Sequence, residues 1–297
     1  MVAEAPAGRA AASALRLFVG STGLDAAAGA ATSHALGPAA EFDLPPAAAA
    51  HVKVRRLQSG AELRLFDGES GLDWPAAVLA IGRAAVRVRV GAAPLAAVGT
   101  ELPRPVTLAF CMPANERVDA LVEKATELGA AALAPLMSER SVLRLAGERA
   151  ERRRAHWQAV AAAACEQCGR ARVPRVHAVQ ALGDWLQRGA GGGDAQHAGR
   201  APGGNVLRWL LSTQPDAPPL AEVAAADVDA RAAPARIVVL SGPEGGFSPA
   251  EHAAAIAAGC TAVSLGPRIL RADTAPMAVL AWLAIAAAQR PDPKSGA

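Results

Sequence analysis

Apolar and polar positions alternate strictly from Val86 to Val90, with Val86, Val88 and Val90 on one side and Arg87 and Arg89 on the other. A period of two marks a half-buried strand. ELRLFDG (62–68) and RLFV (16–19) are strand-like too. Between them PPAAAAHVKVRRLQSG predicts a helix with Pro46 near its start and Gly60 past its end, carrying Lys53, Arg55 and Arg56. Residues 16–98 are therefore expected to form a small β-rich domain after a loose extension over 1–15, and GTELPRPV (99–106) reads as a linker.

From Val106 the pattern changes to strand alternating with helix. VTLAFCM (106–112) is a strand, and ERVDALVEKATELG (116–129) is a helix whose stripe is Val118, Leu121, Val122, Ala125 and Leu128, with Gly129 as its C-terminal stop. AALAPLM (131–137) is the next strand, and a long helix is predicted from about Glu148 to Cys168, stopping at Gly169. Short strands follow near 173–179 and 206–212, then RIVVL and TAVSL, each leading into a helix. Alternation of this kind predicts an α/β domain with a mainly parallel sheet over 104–290. The glycine-rich stretch 188–205 and the segment 224–236 read as insertions without chemistry.

Charge narrows the partners. The net charge is only +3, yet Lys53, Arg55, Arg56, Arg64, Arg83, Arg87 and Arg89 fall in one segment and Arg149, Arg152, Arg153, Arg154, Arg170, Arg172 and Arg175 in another. Two basic segments on a nearly neutral chain suggest an anionic partner met by particular faces. Cys165 and Cys168 have C-x-x-C spacing, but no second pair or nearby histidine completes a zinc site, so no metal is expected. The N-terminus lacks a continuous strongly apolar region, and APMAVLAWLAIAAA, at fourteen residues, falls short of the ~20 that span a bilayer. A soluble, cytoplasmic protein is expected.

The chemistry concentrates in VVLSGPEGGFSPAEHAAAIAAGCTAVSLGPRILRADTAP (238–276). Two glycine-proline loops, SGPEGGF and GPRILRAD, each follow a buried strand and precede a helix. The first helix is strongly signalled: Ser248 as N-cap, Pro249 in the first turn, Glu251 completing a capping box, Gly259 closing it. Both loops are predicted at the carboxyl edge of the sheet, where α/β proteins bind ligands. Neither carries the P-loop or dinucleotide-binding glycine pattern, so backbone from two loops suits an adenine and ribose better than a polyphosphate.

These paired loops resemble the signature of the ribosomal RNA small-subunit methyltransferase E family, which belongs to the SPOUT group of knotted methyltransferases. HVKVRRLQSGAELRLFDG (51–68), VEKATELGAAALAPLMSERS (122–141) and WQAVAAAACEQCGRARVPRV (157–176) are similar to further family motifs, so the resemblance spans roughly Arg16 to Ala288. It implies a small PUA-like RNA-binding β-barrel followed by a SPOUT-type α/β domain with a trefoil knot, a homodimer, and S-adenosylmethionine as cofactor. The implied reaction is methylation of uridine N3 in 16S ribosomal RNA of the small ribosomal subunit. Methylation of another base or a ribose 2′-hydroxyl, and a non-catalytic RNA-binding assembly factor, stay open as alternatives.

Carried onto this chain, the resemblance places cofactor contacts at Leu136, Met137 and Ser138, at Leu240, Gly242, Pro243, Glu244, Gly245 and Gly246, and at Leu265, Gly266, Ile269, Leu270, Arg271 and Thr274. Gly242, Gly245 and Gly266 would let the backbone approach closely, while Leu240, Leu265, Ile269 and Leu270 would flank the adenine. Arg271 is the candidate to stabilise charge on the base, and Glu244 the candidate proton acceptor or loop organiser. Arg55, Arg56, Arg87, Arg89, Arg140 and Arg170 are the expected RNA contacts. Asp273 stands where the family commonly carries a glutamate, and reads here as a helix cap.

Overall fold

The computed structural model of the protein describes residues 14–20, 36–96, 99–188, 206–229 and 236–288. Of the expected extension over 1–15, the insertion over 188–205 and the stretch 224–236, residues 1–13, 189–205 and 230–235 lie outside the described residues. Packing divides the chain into two compact units, Met1–Thr100 with Cys165–Val173, and Glu101–Ala164 with Pro174–Ala297.

The first unit contains β1 (Leu15–Phe18), β2 (Glu41–Asp43), α1 (Pro46–Val54), β3 (Glu62–Phe66), β4 (Leu72–Ile81), β5 (Val86–Val90) and β6 (Leu95–Ala96). The sheet order is β1-β3-β4-β5-β2 with β6 beside β4. β1 pairs parallel with β3, and the other pairings are antiparallel. The alternation of β5 fixes its faces: all three valines are buried, whereas Arg87 and Arg89 stand outside opposite Asp43 and Glu41. Helix α1 ends at Val54, well before Gly60. Arg56 turns the chain at φ +52°, and its amide and that of Leu57 close back on Lys53 and Val52 in a Schellman-type stop. The turn brings Leu57 against the core, which decides where the helix stops.

Residues 165–173 join this unit through long-range polar contacts. The Arg16 guanidinium grips both carboxylate oxygens of Asp73 at 2.7 Å and donates to the carbonyls of Cys165 (2.7 Å) and Arg170 (2.9 Å). It also lies 4.2 Å from the centre of the Phe66 ring. Asp73 is buried, so this pair stands only because its oxygens are fully engaged. Glu166 accepts from the Phe18 amide at 2.8 Å and sits 3.3 Å from His51. Burial is the main influence on Glu166 and pushes its pKa up, against the opposing pull of the Phe18 amide and the His51 charge.

The second unit contains β7 (Val106–Cys111), α2 (Asn115–Glu127), β8 (Ala132–Met137), α3 (Gly147–Cys168, whose last turn belongs to the first unit), β9 (Arg175–Val176), β10 (Gln180–Ala181), α4 (Leu182–Gln187), β11 (Val206–Leu211), α5 (Leu220–Asp229), β12 (Arg236–Ser241), α6 (Pro249–Ala257), β13 (Thr261–Val263) and α7 (Thr274–Ala288). The strand order is β10-β8-β7-β12-β11-β13, with β9 beside β8. Every pairing is parallel. Both faces of a parallel sheet are covered, and β7 is accordingly buried at all six positions. Val118, Leu121, Val122 and Ala125 of α2 are buried, and Gly129 ends that turn at φ +93°. Helix α5 runs into the stretch read as an insertion from 224, with Leu220 and Ala224, one turn apart, buried.

Candidate functional site

β12 and β13 are not neighbours; β11 lies between them and pairs with both. The three strands run parallel, so three loops leave the same edge: Ser212–Pro215, Gly242–Phe247 and Leu265–Ala272. All three line one cavity of about 1050 Å³, together with Arg140 and His252. Of the expected contacts, Gly242, Pro243, Glu244, Gly245, Gly246, Leu265, Gly266, Ile269, Leu270 and Arg271 lie on it.

Leu136, Met137, Ser138, Leu240 and Thr274 do not line the cavity. Leu240 and Leu136 are fully buried in one core cluster, so the Leu240 side chain supports the sheet beneath the loops. Met137 ends β8 and Thr274 begins α7. Ser138 is buried; its hydroxyl meets that of Ser141 at 2.9 Å, and its amide donates to Ser141 Oγ at 3.1 Å. That turn presents Glu139 and Arg140.

The first glycine loop is shaped largely by its own packing. A Cβ on Gly242 would come within 3.1 Å of the Phe247 ring, and one on Gly245 within 3.2 Å of Arg140 Cβ. At both positions the missing side chain makes room for protein. Gly246 (φ +66°) closes a turn by donating its amide to the Pro243 carbonyl at 2.9 Å. Gly266, at φ +100°, has open space around its Cα, so its backbone angle is what demands glycine there. The capping box of α6 forms as its sequence predicts, Ser248 and Glu251 each accepting the other's amide.

The charged groups divide into tethered and untethered ones. Glu244 accepts from the Ala114 amide at 3.2 Å and pairs with Arg117 at 3.5 Å, joining the loop to the start of α2. Arg140 donates from Nη1 to the Gly245 carbonyl at 2.8 Å, with Phe247 O at 3.5 Å. Arg268 and Arg271 are exposed on the cavity wall, and neither side chain has a partner among the described residues. The Arg271 carbonyl accepts the amides of Thr274 and Ala275, both at 3.0 Å, and so starts α7. Asp273 meets the Thr274 hydroxyl at 3.4 Å.

Sequence reasoning missed the loop Ser212–Pro215 and His252, whose Nε2 lies 3.4 Å from Ser212 Oγ. A signal was present: polar residues directly after a buried strand in a parallel sheet belong at its ligand edge. Burial pushes the Cys111 thiol up to about 12 and that of Cys260 to about 11, so neither is a ready nucleophile. Among the described residues no group of His, Cys, Asp and Glu is placed to hold a metal ion, and no helix is long and apolar enough to cross a membrane.

The expected RNA contacts also divide. Arg55 and Arg56 are exposed. Arg87 and Arg89 are exposed but paired with Glu41, Arg89 at 2.7 Å. Arg170 is only 2% exposed, and its carbonyl accepts from Arg16, so its guanidinium is not presented at the surface as the other arginines are. Arg140 lines the cavity.

The profile of the RNA methyltransferase domain matches residues 100–284. The ribosomal RNA small subunit methyltransferase E of Synechocystis is 36% identical over 233 residues, 78% of this chain and 68% of that protein. The Mycobacterium tuberculosis protein of the same name is 33% identical over 75% of this chain and 77% of its own length. Among solved structures, the Neisseria gonorrhoeae ribosomal RNA small subunit methyltransferase E bound to S-adenosyl methionine superposes with TM-score 0.73 at 29% identity, covering 91% of this chain and 96% of that one. A Legionella pneumophila protein solved with bound SAM gives TM-score 0.73 at 26% identity, covering 92% and 98%. By its sequence relatives and by the matched domain, the chain belongs to the ribosomal RNA small subunit methyltransferase E family.

Proposed function

We propose that this protein transfers a methyl group from S-adenosylmethionine to N3 of a uridine in 16S ribosomal RNA. The observation that carries the reading is the three-loop cavity at the carboxyl edge of β11, β12 and β13. Its walls fit a nucleoside cofactor. The backbone amides of Glu244, Gly245, Phe247, Ile269 and Leu270 have no internal partner among the described residues, and the side chains of Leu265, Ile269 and Leu270 add apolar surface. Unspent amides beside apolar side chains are what a heterocycle and its ribose require.

When bound, the cofactor supplies a sulfonium methyl group as electrophile. The chain's own residues must hold the uridine and ease the loss of its N3 proton. Arg271 and Arg268 supply fixed positive charge at the cavity mouth, where it stabilises the negative charge that spreads onto the uridine carbonyls. Glu244 is already committed to Ala114 and Arg117, and its role is to hold the loop. Arg55 and Arg56 of the first unit meet RNA phosphates, which makes binding fall with salt. The reading includes a PUA-like first domain, a trefoil knot in the second, a homodimer and a cytoplasmic setting, as the family resemblance implies.

The test is nucleoside mass spectrometry of 16S RNA from a strain lacking the gene. N3-methyluridine disappears and returns when the gene is restored. Its persistence in the deletion strain would overturn the assignment.

A further inference from the structure

We infer that Arg140 is a positioning residue of the cofactor cavity, which fixes the peptide planes of the glycine loop. The inference rests on the cofactor reading above and goes beyond it in assigning the loop's order to one side chain from the turn after a different strand. Arg140 follows β8, yet its Nη1 reaches the Gly245 carbonyl at 2.8 Å. The Gly246 amide, at the other end of the same peptide unit, donates to the Pro243 carbonyl at 2.9 Å. Both polar ends of the Gly245–Gly246 peptide are therefore held. Two adjacent glycines are otherwise the most freely rotating positions a chain offers.

The contact is built from both sides. Gly245 has no Cβ where the Arg140 stem passes, since one would meet Arg140 Cβ at 3.2 Å and Cδ at 3.4 Å. The residue before Arg140 is held as well: the Glu139 amide donates to Glu251 Oε1 at 2.8 Å, while Glu251 Oε2 accepts from Ser248 at 2.9 Å. Arg144 holds the Glu139 carbonyl at 2.8 Å, and the Ser138–Ser141 pair closes the turn. Glu251 thus serves as capping-box partner and as clasp, so the start of α6, the glycine loop and the Ser138–Ser141 turn form one network. Its consequence is that the amides of Glu244, Gly245 and Phe247 are preorganised before any ligand arrives.

The experiment compares native protein with R140M, R140K and G245A. The readouts are hydrogen exchange without ligand, calorimetric titration with S-adenosylmethionine, the split between KM and kcat, and the salt dependence of RNA binding. In R140M the Gly246 amide, which is bonded to the Pro243 carbonyl, exchanges faster, and the dissociation constant for S-adenosylmethionine rises roughly tenfold, the effect of losing one hydrogen bond to a charged donor. KM for the cofactor rises while kcat at saturation stays within a few-fold. R140K, which keeps one donor, recovers part of the affinity. G245A keeps the arginine's charge but displaces its stem, and it loosens the same Gly246 amide.

Native exchange and native cofactor affinity in a folded R140M, with a salt slope shallower by about one, would make Arg140 a phosphate contact and overturn the inference. Unchanged exchange in G245A would count against it too. If the native protein takes up no S-adenosylmethionine, the proposed function fails, whereas the exchange comparison still judges the clasp.

Discussion

Glu244 and Arg271 sit on the same cavity, and their surroundings assign them different work. Glu244 has one oxygen shared between the Ala114 amide and Arg117, with its side chain about one-third exposed (35%). An ion pair that exposed contributes ~0.5 kcal/mol or less, but the backbone contact fixes where the loop meets α2. E244Q preserves an acceptor for Ala114, so its kcat for methyl transfer to small subunits is expected within a few-fold of native, with an unchanged pH profile. E244A leaves the amide unanswered and loses cofactor affinity. A hundredfold fall in kcat for E244Q with intact cofactor binding would restore Glu244 as the proton acceptor. The Arg271 side chain has no internal partner among the described residues to lose, so R271A is expected to melt like native protein while its kcat drops by about 10²-fold, the scale of one charge-stabilising donor. Native turnover in R271A would refute that role. Of the loop glycines, the sequence showed that they matter, but not why: Gly242 and Gly245 admit Phe247 and Arg140, neighbours that no local pattern reveals.

Helix α6 was the most legible element, because every signal for it is local: Ser248, Pro249 and Glu251 at one end and Gly259 at the other, and its capping box forms with both bonds made. S248A is expected to lower stability by ~1 kcal/mol, read as an earlier denaturation midpoint at unchanged slope. The cost includes the clasp through Glu251, so hydrogen exchange should also quicken at Glu139. No change at Glu139 would show that the cap and the clasp are independent. Elements whose limits depend on tertiary contacts were misjudged. α1 stops at Val54 because Leu57 must reach the core, and nothing within PPAAAAHVKVRRLQSG marks that turn except an arginine at φ +52°. The Ser212–Pro215 loop went unnoticed because its residues carry no glycine signature; only the position of β11 between β12 and β13 brings it to the site.

At the scale of the whole molecule, the parallel α/β sheet followed from strand-helix alternation, whereas the allegiance of residues 165–173 did not. Arg16, Phe18 and Asp73 hold that segment from about a hundred or more positions away, beyond any local pattern. Helix α7 raises the remaining question of assembly. All fifteen of its residues but Thr274 are apolar or proline, and only Pro276, Val279 and Leu280 are buried. Ala278, Trp282 and Ile285 stand exposed at helical spacing, Trp282 by 38% and Ile285 by 60%. A continuous apolar face of that kind on a terminal helix is costly to leave in water, and in the proposed homodimer a second copy covers it. Light scattering is expected to give twice the 30.0 kDa chain mass for native protein. W282E with I285E introduces two like charges on the same face of each copy, and should leave a folded chain at the single mass. Neither residue is needed for the core, so near-native melting of the variant separates loss of assembly from loss of fold. A native protein that stays single at tens of micromolar, or a double variant that still pairs, would place the subunit contact elsewhere and leave this helix without its proposed cover.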